Sequence, residues 1–193
     1  FLAISFSSPD YIGHTFGPNS PEAEDGFLRL DKDLESLFDF LDAKVGKGQY
    51  TAFLSADHGV AQVPEFMQEN KLPAGRIYMG PVTGNINKAL QEKYNIANII
   101  VSDENYQLHL NHPKLDSAKT NKKELIQWII ERLSTEPGIS HAFALDDLNN
   151  VPLPSMIRKM INNGYNPLRN GEIQIILLPH YIDAYSATGT THG

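Results

Sequence analysis

Two short apolar runs enclose one long helical repeat at the start of this sequence, and that order limits the fold more than any other feature. FLAISF, residues 1–6, is apolar and closed by the turn former Ser-Ser-Pro-Asp, the pattern of a short buried strand. YTAFLSADHG, residues 50–59, is a second such run that enters a polar loop. Between them Phe27, Leu30, Leu34, Leu37, Phe38 and Leu41 recur at helical spacing, with Ser20 placed to cap the helix, Pro21 in its first turn and Gly46 as its stop. Strand, helix, strand is a βαβ unit, which predicts a parallel sheet and the α/β class.

Functional groups of such a sheet gather at the carboxyl ends of its strands. Asp10 and His14 follow the first run, in SSPDYIGHTFGPNS, and Asp57 and His58 follow the second. The unit therefore predicts that two acid-imidazole pairs become neighbours along one edge. The chain has no Cys, so His and carboxylate are the strong metal ligands it can offer. Gly13 and Gly59 invite two readings, a close pass of backbone at a metal or a simple turn.

From about Pro64 the pattern changes. An alternating strand is predicted near NIIVSDENYQLHLN, then a helix carrying Leu125, Ile126, Trp128, Ile129 and Leu133, capped by Asn121 with Glu124 and ended by Gly138, then a strand at ISHAFAL. Residues 64–150 read as an inserted α+β subdomain, between a metal-binding part at 1–63 and a return to the catalytic domain at 151–193. In that return PSMIRKMINNG is a short helix, EIQIILLP a core strand, and SATGTTHG a loop that brings back His192. Phe1 opens inside an apolar run with no initiating Met, and Gly193 follows directly on a polar cluster. The chain is thus expected to be a piece cut at both ends.

Sixteen Lys and Arg against 23 Asp and Glu give a net charge of −7 with no basic run, which argues against a nucleic-acid or anionic-membrane partner. The longest apolar runs, such as IQIILL, are too short to span a bilayer.

Five ligands, Asp10, His14, Asp57, His58 and His192, suit zinc in number and type. A zinc centre that keeps an open position uses three protein ligands, so five with one more from elsewhere would serve two ions, the equipment of in-line displacement at phosphorus. Taken singly, Asp-x-x-x-His and Asp-His-Gly say little; their joint occurrence in order at strand ends carries the argument.

SPDYIGH, the helix EAEDGFLRLDKDLESLFDFLD, FLSADHG and the late GTTHG resemble the successive metal-binding segments of the alkaline phosphatase superfamily, in particular its type I phosphodiesterase and phosphate-irrepressible alkaline phosphatase branch. The resemblance implies an alkaline-phosphatase-like sheet with flanking helices, incomplete here, and two Zn2+ ions per intact site. One zinc would be held by Asp10, His14 and His192, the other by Asp57 and His58 with a further Asp from the start of the catalytic domain. That Asp, the nucleophilic Thr or Ser and the substrate-positioning Asn, Lys and Arg of the branch have no counterpart in these residues and are expected before Phe1.

The implied activity is hydrolysis of phosphate monoesters through a covalent phosphoryl-enzyme. A nucleotide pyrophosphatase or phosphodiesterase is the alternative within enzymes, a catalytically inert metal-binding fragment the alternative of another class. A periplasmic or secreted location and a small-molecule phosphate ester partner follow from the same resemblance. His109, His112, His141 and His180 read as solvated or edge imidazoles, Trp128 as core, and Asp31, Asp33, Glu35 and Asp39 as the solvent side of a helix. Thr190 and Thr191 read as loop residues that orient His192, not as nucleophiles.

Overall fold

The computed structural model describes residues 1–117 and 120–192. It divides into two compact units, one of residues 1–76 with the segment from Ile182 onward, the other of Ile77–Tyr181.

The first unit begins with an irregular segment and then α1 (Ser8–Phe16), α2 (Pro21–Lys44) and α3 (Pro64–Glu69), and ends in β1 (Gly75–Ile77). α2 starts and stops where local chemistry dictates. Ser20 Oγ accepts from the Ala23 amide at 3.1 Å, which satisfies a donor the helix cannot satisfy itself. At the other end the Gly46 amide donates back to Leu41 O at 3.3 Å. α1 is the first departure from expectation. SPDYIGH, whose Ser-Ser-Pro-Asp start reads as a turn former, is helical, with Pro9 in the first turn where a missing N–H costs nothing. A Cβ on Gly26 would lie 2.9 Å from Ile12 Cδ1, so the absence of a side chain there lets α2 come close to α1.

The two runs expected as buried strands form no ladder among the described residues. Residues 1–7 and 51–56 carry no strand, and Phe1, Leu2, Phe53 and Leu54 are exposed, the last two at 91% and 73%. A strand is made by its neighbour, because its amides and carbonyls must pair across a ladder. These runs have the composition of strands and no partner strand within the described residues. The apolar stripe of α2 is left uncovered for the same reason: Ala23 alone is buried, while Phe27 and Phe38 are exposed at 61% and 39%. Asp31, Asp33, Glu35 and Asp39 are exposed as expected.

The second unit runs α4 (Met79–Tyr94), β2 (Ile100–Ser102), β3 (Gln107–Leu110), α5 (His112–Ser117), α6 (Lys122–Leu133), β4 (Ile139–Ala144), α7 (Ser155–Gly164) and β5 (Ile173–Leu177), after which β6 (Tyr181–Asp183) leads out and pairs with β1. Its sheet has the order β2-β3-β5-β4, with antiparallel neighbours throughout. NIIVSDENYQLHLN is not one strand but two, paired Ile100 to Leu110 and Ser102 to His109. The chain reverses between them through Asn105 and Tyr106, both at positive φ.

Leu108, Leu125, Ile129, Leu133 and Ile173 are fully buried where α4 and α6 cover one face of this sheet. Phe143, Leu145, Leu148 and Leu153 form a second cluster, packed by Ile157 and Ile161 of α7. α6 is capped as its sequence predicts, Asn121 Oδ1 accepting from the Lys123 amide at 3.1 Å while its Nδ2 donates to Glu124 Oε1 at 2.9 Å. The helix ends at Leu133, five residues before Gly138, and Gly138 instead begins the approach to β4.

The division of the chain differs from the expected 64–150. β5 lies between β3 and β4, pairing Ile173 with Leu108 on one side and Ala144 on the other. Residues 151–181 therefore fold with the second unit, because the apolar run IQIIL is buried only at the centre of that sheet. The chain mixes helices and sheet as an α/β class reading requires. No helix among the described residues is long and apolar enough to cross a membrane.

Candidate metal centre

Because SPDYIGH is helical, Asp10 and His14 stand one turn apart on one face of α1. Asp10 Oδ1 and His14 Nε2 are 3.5 Å apart. The second pair repeats the distance, Asp57 Oδ2 to His58 Nε2 being 3.5 Å. Both values exceed an ordinary charged hydrogen bond of about 2.8 Å and match the edge of a coordination tetrahedron, roughly 3.3 Å for ligand bonds near 2.0 Å. The donor chemistry and spacing fit a zinc ion.

His192 joins the pairs. Ligand atoms of Asp10, His14 and His192 all lie within 4.8 Å of one another. The His192 ring stacks on His58 with centroids 3.6 Å apart and 22° between planes, and meets His14 at 5.2 Å and 57°. All five residues singled out in the sequence thus occupy one place in the first unit, with the His192 imidazole between the two acid-imidazole pairs.

Hydrogen bonds fix which nitrogen each imidazole presents. His14 Nδ1 lies 2.9 Å from Thr190 O, which can only accept, so Nδ1 donates and Nε2 is the nitrogen turned toward Asp10. His58 Nδ1 does the same against Gly59 O at 3.0 Å, and the Asp57 carboxylate accepts from the His58 amide at 3.1 Å.

Thr190 does more than its sequence position suggests. Its amide donates to His14 O at 2.8 Å and its hydroxyl to Ala61 O at 3.0 Å, and the Ala61 amide donates to Thr191 O at 2.9 Å. The threonine expected to orient His192 is bonded to His14 instead. Buried at 8% exposure, it ties the late loop to both α1 and the segment after His58.

Gly189 was not singled out in the sequence, and the fold requires it. Its φ is +78°, and a Cβ there would sit 2.4 Å from His14 O. Gly13 and Gly59, considered earlier for that role, have room: a Cβ at Gly13 would meet Val60 at 3.7 Å, and one at Gly59 would meet nothing within 4 Å. The signal was present in GTTHG but pointed at the wrong neighbour, since the crowding partner lies 175 residues earlier.

Arg76 and Glu65 also escaped notice. Arg76 Nε and Nη2 reach the two Glu65 oxygens at 2.9 and 2.6 Å, and the guanidinium holds the Glu65 carboxyl below its usual range. Away from the centre, the imidazoles set aside keep ordinary company. His112 pairs with Glu172, and His141 Nδ1 meets Ser140 Oγ at 2.8 Å. Trp128 packs at the edge of the core against Tyr94, in T-shaped contact at 6.2 Å.

The model of the type I phosphodiesterase / nucleotide pyrophosphatase family matches residues 1–189. Among curated relatives, the alkaline phosphatase PafA of Elizabethkingia meningoseptica is 41% identical over 192 residues, which is all of this chain and 35% of the relative. A protein of Myroides odoratus named as a calcium-transporting ATPase is 39% identical over 194 residues, again all of this chain and 35% of the relative. A crystal structure of wild-type alkaline phosphatase PafA superposes with a TM-score of 0.88 at 42% identity, over 96% of this chain and 35% of that one. The chain spans about a third of the length of the relatives it matches.

Proposed function

The chain belongs to the type I phosphodiesterase / nucleotide pyrophosphatase family, and from that premise we propose that the full-length protein hydrolyses phosphate monoesters at a centre of two zinc ions. The observation that carries the reading is the repeated Asp-His pair, each with ligand atoms 3.5 Å apart, joined through the His192 ring.

In this reading Asp10, His14 and His192 hold one ion and Asp57 and His58 the other, completed by a carboxylate from residues outside this chain. Two zinc ions supply Lewis acidity to the attacking and leaving oxygens of a displacement at phosphorus. What these residues contribute is placement. The Thr190 and Gly59 carbonyls engage Nδ1 of each imidazole and so leave Nε2 as the nitrogen turned to its carboxylate, and α1 keeps Asp10 and His14 on one face. In this reading the nucleophilic hydroxyl that would be phosphorylated comes from residues outside this chain, so the 193 residues alone should show no turnover. A periplasmic or secreted location belongs to the same proposal.

The family description and the ATPase name of the Myroides odoratus relative favour a second reading, cleavage of a diester or of a nucleotide anhydride. One experiment addresses both. The full-length protein is loaded with zinc, dialysed, and assayed against a chromogenic phosphomonoester, the matching diester and ATP, with His14→Ala beside it. Two zinc ions per wild-type chain, one lost in His14→Ala together with monoesterase activity, is the expected result. A diester or ATP preferred over the monoester would replace the substrate class, and unchanged zinc content in His14→Ala would remove the metal assignment.

A further inference from the structure

The late loop that brings His192 to the centre is anchored by a residue that touches no ligand atom. Arg76 ends the first of the two segments that make up the first unit, and its side chain is 8% exposed. The Nη2 that meets Glu65 Oε2 also donates to Gly189 O at 2.7 Å. Gly189 O and the Thr190 amide are the two ends of one peptide group. Arg76 therefore holds that planar group by its oxygen, while its N–H donates to His14 O at 2.8 Å. The next carbonyl, Thr190 O, accepts from His14 Nδ1 at 2.9 Å.

A continuous series results: Glu65 carboxylate, Arg76 guanidinium, peptide 189–190, then His14 by both its main chain and its ring. From the zinc reading above, on which this step rests, we infer that Arg76, seated by Glu65, is a positioning residue for the metal centre, fixing the His14 imidazole and the reach of His192. Two features separate this from an ordinary ion pair. An exposed pair of this kind contributes little, whereas this guanidinium is buried and its fork is spent on a fixed geometry. The carbonyl it seizes also belongs to a residue that cannot move toward α1, because Gly189 already lies against His14 O. Arg76 and that crowding locate the peptide from opposite sides. Partners that orient a ligating imidazole typically matter 10–100-fold in metal affinity, by the general behaviour of such partners.

The test uses the full-length protein, stripped of metal and titrated with zinc against a chromogenic chelator, for wild type, Arg76→Gln, Arg76→Lys, Glu65→Gln and His14→Ala. Melting of the metal-free proteins and the ring-nitrogen NMR signals of His14 are followed in parallel. The inference expects one of the two zinc affinities to fall about 10–100-fold in Arg76→Gln, less in Arg76→Lys and Glu65→Gln, with the other unchanged. It also expects the His14 signals to shift toward a mixture of tautomers and activity to return with excess zinc. A lowered melting temperature with both zinc affinities and the His14 tautomer at wild-type values would overturn it, showing a merely structural pair. If Arg76→Gln does not fold, Glu65→Gln decides on the same readouts. His14→Ala separates the two levels. If it loses one zinc while the Arg76 and Glu65 variants hold both at full affinity, the positioning role alone falls. If it loses none, the metal assignment falls and this role with it.

Discussion

Replacing Gly189 with Ala is the sharpest probe of the late loop, because two independent costs meet at one carbon. The backbone there has φ +78°, where an L-residue with a Cβ costs about 1–2 kcal/mol. The added carbon would also lie 2.4 Å from His14 O, about 1 Å inside an ordinary contact of roughly 3.5 Å. The oxygen belongs to a helix and cannot turn away, so the loop must retreat. A retreat of that size carries the Thr190 amide, now 2.8 Å from His14 O, beyond hydrogen-bond range, and takes Thr190 O away from His14 Nδ1. Two lost bonds at about 1 kcal/mol each bring the total to about 3–4 kcal/mol.

The assay is urea unfolding of the metal-free full-length protein, with hydrogen exchange at the Thr190 amide to localise the effect. The control is Gly84→Ala in α4, where a Cβ meets nothing within 4 Å and should stabilise by about 0.5–1 kcal/mol. On the zinc reading, affinity at the His14 site should fall with the loop. A Gly189→Ala protein within about 0.5 kcal/mol of wild type, with Thr190 exchange unchanged, would refute the reasoning.

Further outcomes follow from other parts of the molecule. On the zinc reading proposed above, Asp57→Ala should abolish hydrolysis in the full-length protein; steady-state rates near wild type would mean that Asp57 holds nothing the reaction needs. Glu65 has a folded pKa depressed by the Arg76 guanidinium, so its contribution to stability is complete above the usual carboxylate value of about 4.3 and fades as pH falls below it. Glu65→Gln should flatten that acid limb of a stability-versus-pH curve and leave the neutral region parallel to wild type. Leu125→Ala, at a fully buried position on α6, should cost about 2–5 kcal/mol, read as a fall in the urea midpoint with hydrogen exchange accelerated in the second unit.

What could be read from the sequence was what neighbours in the chain decide. The ends of α2 and the start of α6 are set by Ser20, Pro21 and Asn121 within a turn of the residues they cap, and their positions are those expected. FLAISF and the run before Asp57 could not be judged that way, because composition makes a strand possible and only a partner makes it one. β5 illustrates the same point from the other side. Its run reads as a core strand from composition alone, but its slot between β3 and β4 depends on contacts some 65 and 30 residues away, so the second unit extends past the boundary that the local pattern suggests. At the candidate metal centre the two acid-imidazole pairs and the late imidazole were visible as residues; that the fold would bring them together was an expectation. The Arg76 fork, the crowding at Gly189 and the bond from Thr190 to His14 were not visible, since each joins segments whose separation in sequence leaves no periodic trace.

The bond between His14 and Thr190 spans 176 positions, and that span sets a timetable. At a synthesis rate of about 5–20 residues per second, His14 waits roughly 10–35 seconds for its partner. Until then the His14 ring has no carbonyl to meet its Nδ1 and the His14 carbonyl has no amide from the late loop. The second unit lies wholly within the interval and brings β1 and β6 together when it folds, which shortens the loop left to close. Closure of the late loop onto α1 is thereby postponed until residue 190 has been made. A nascent chain stalled before Thr190 would carry its second unit complete and its first helix still without the late loop.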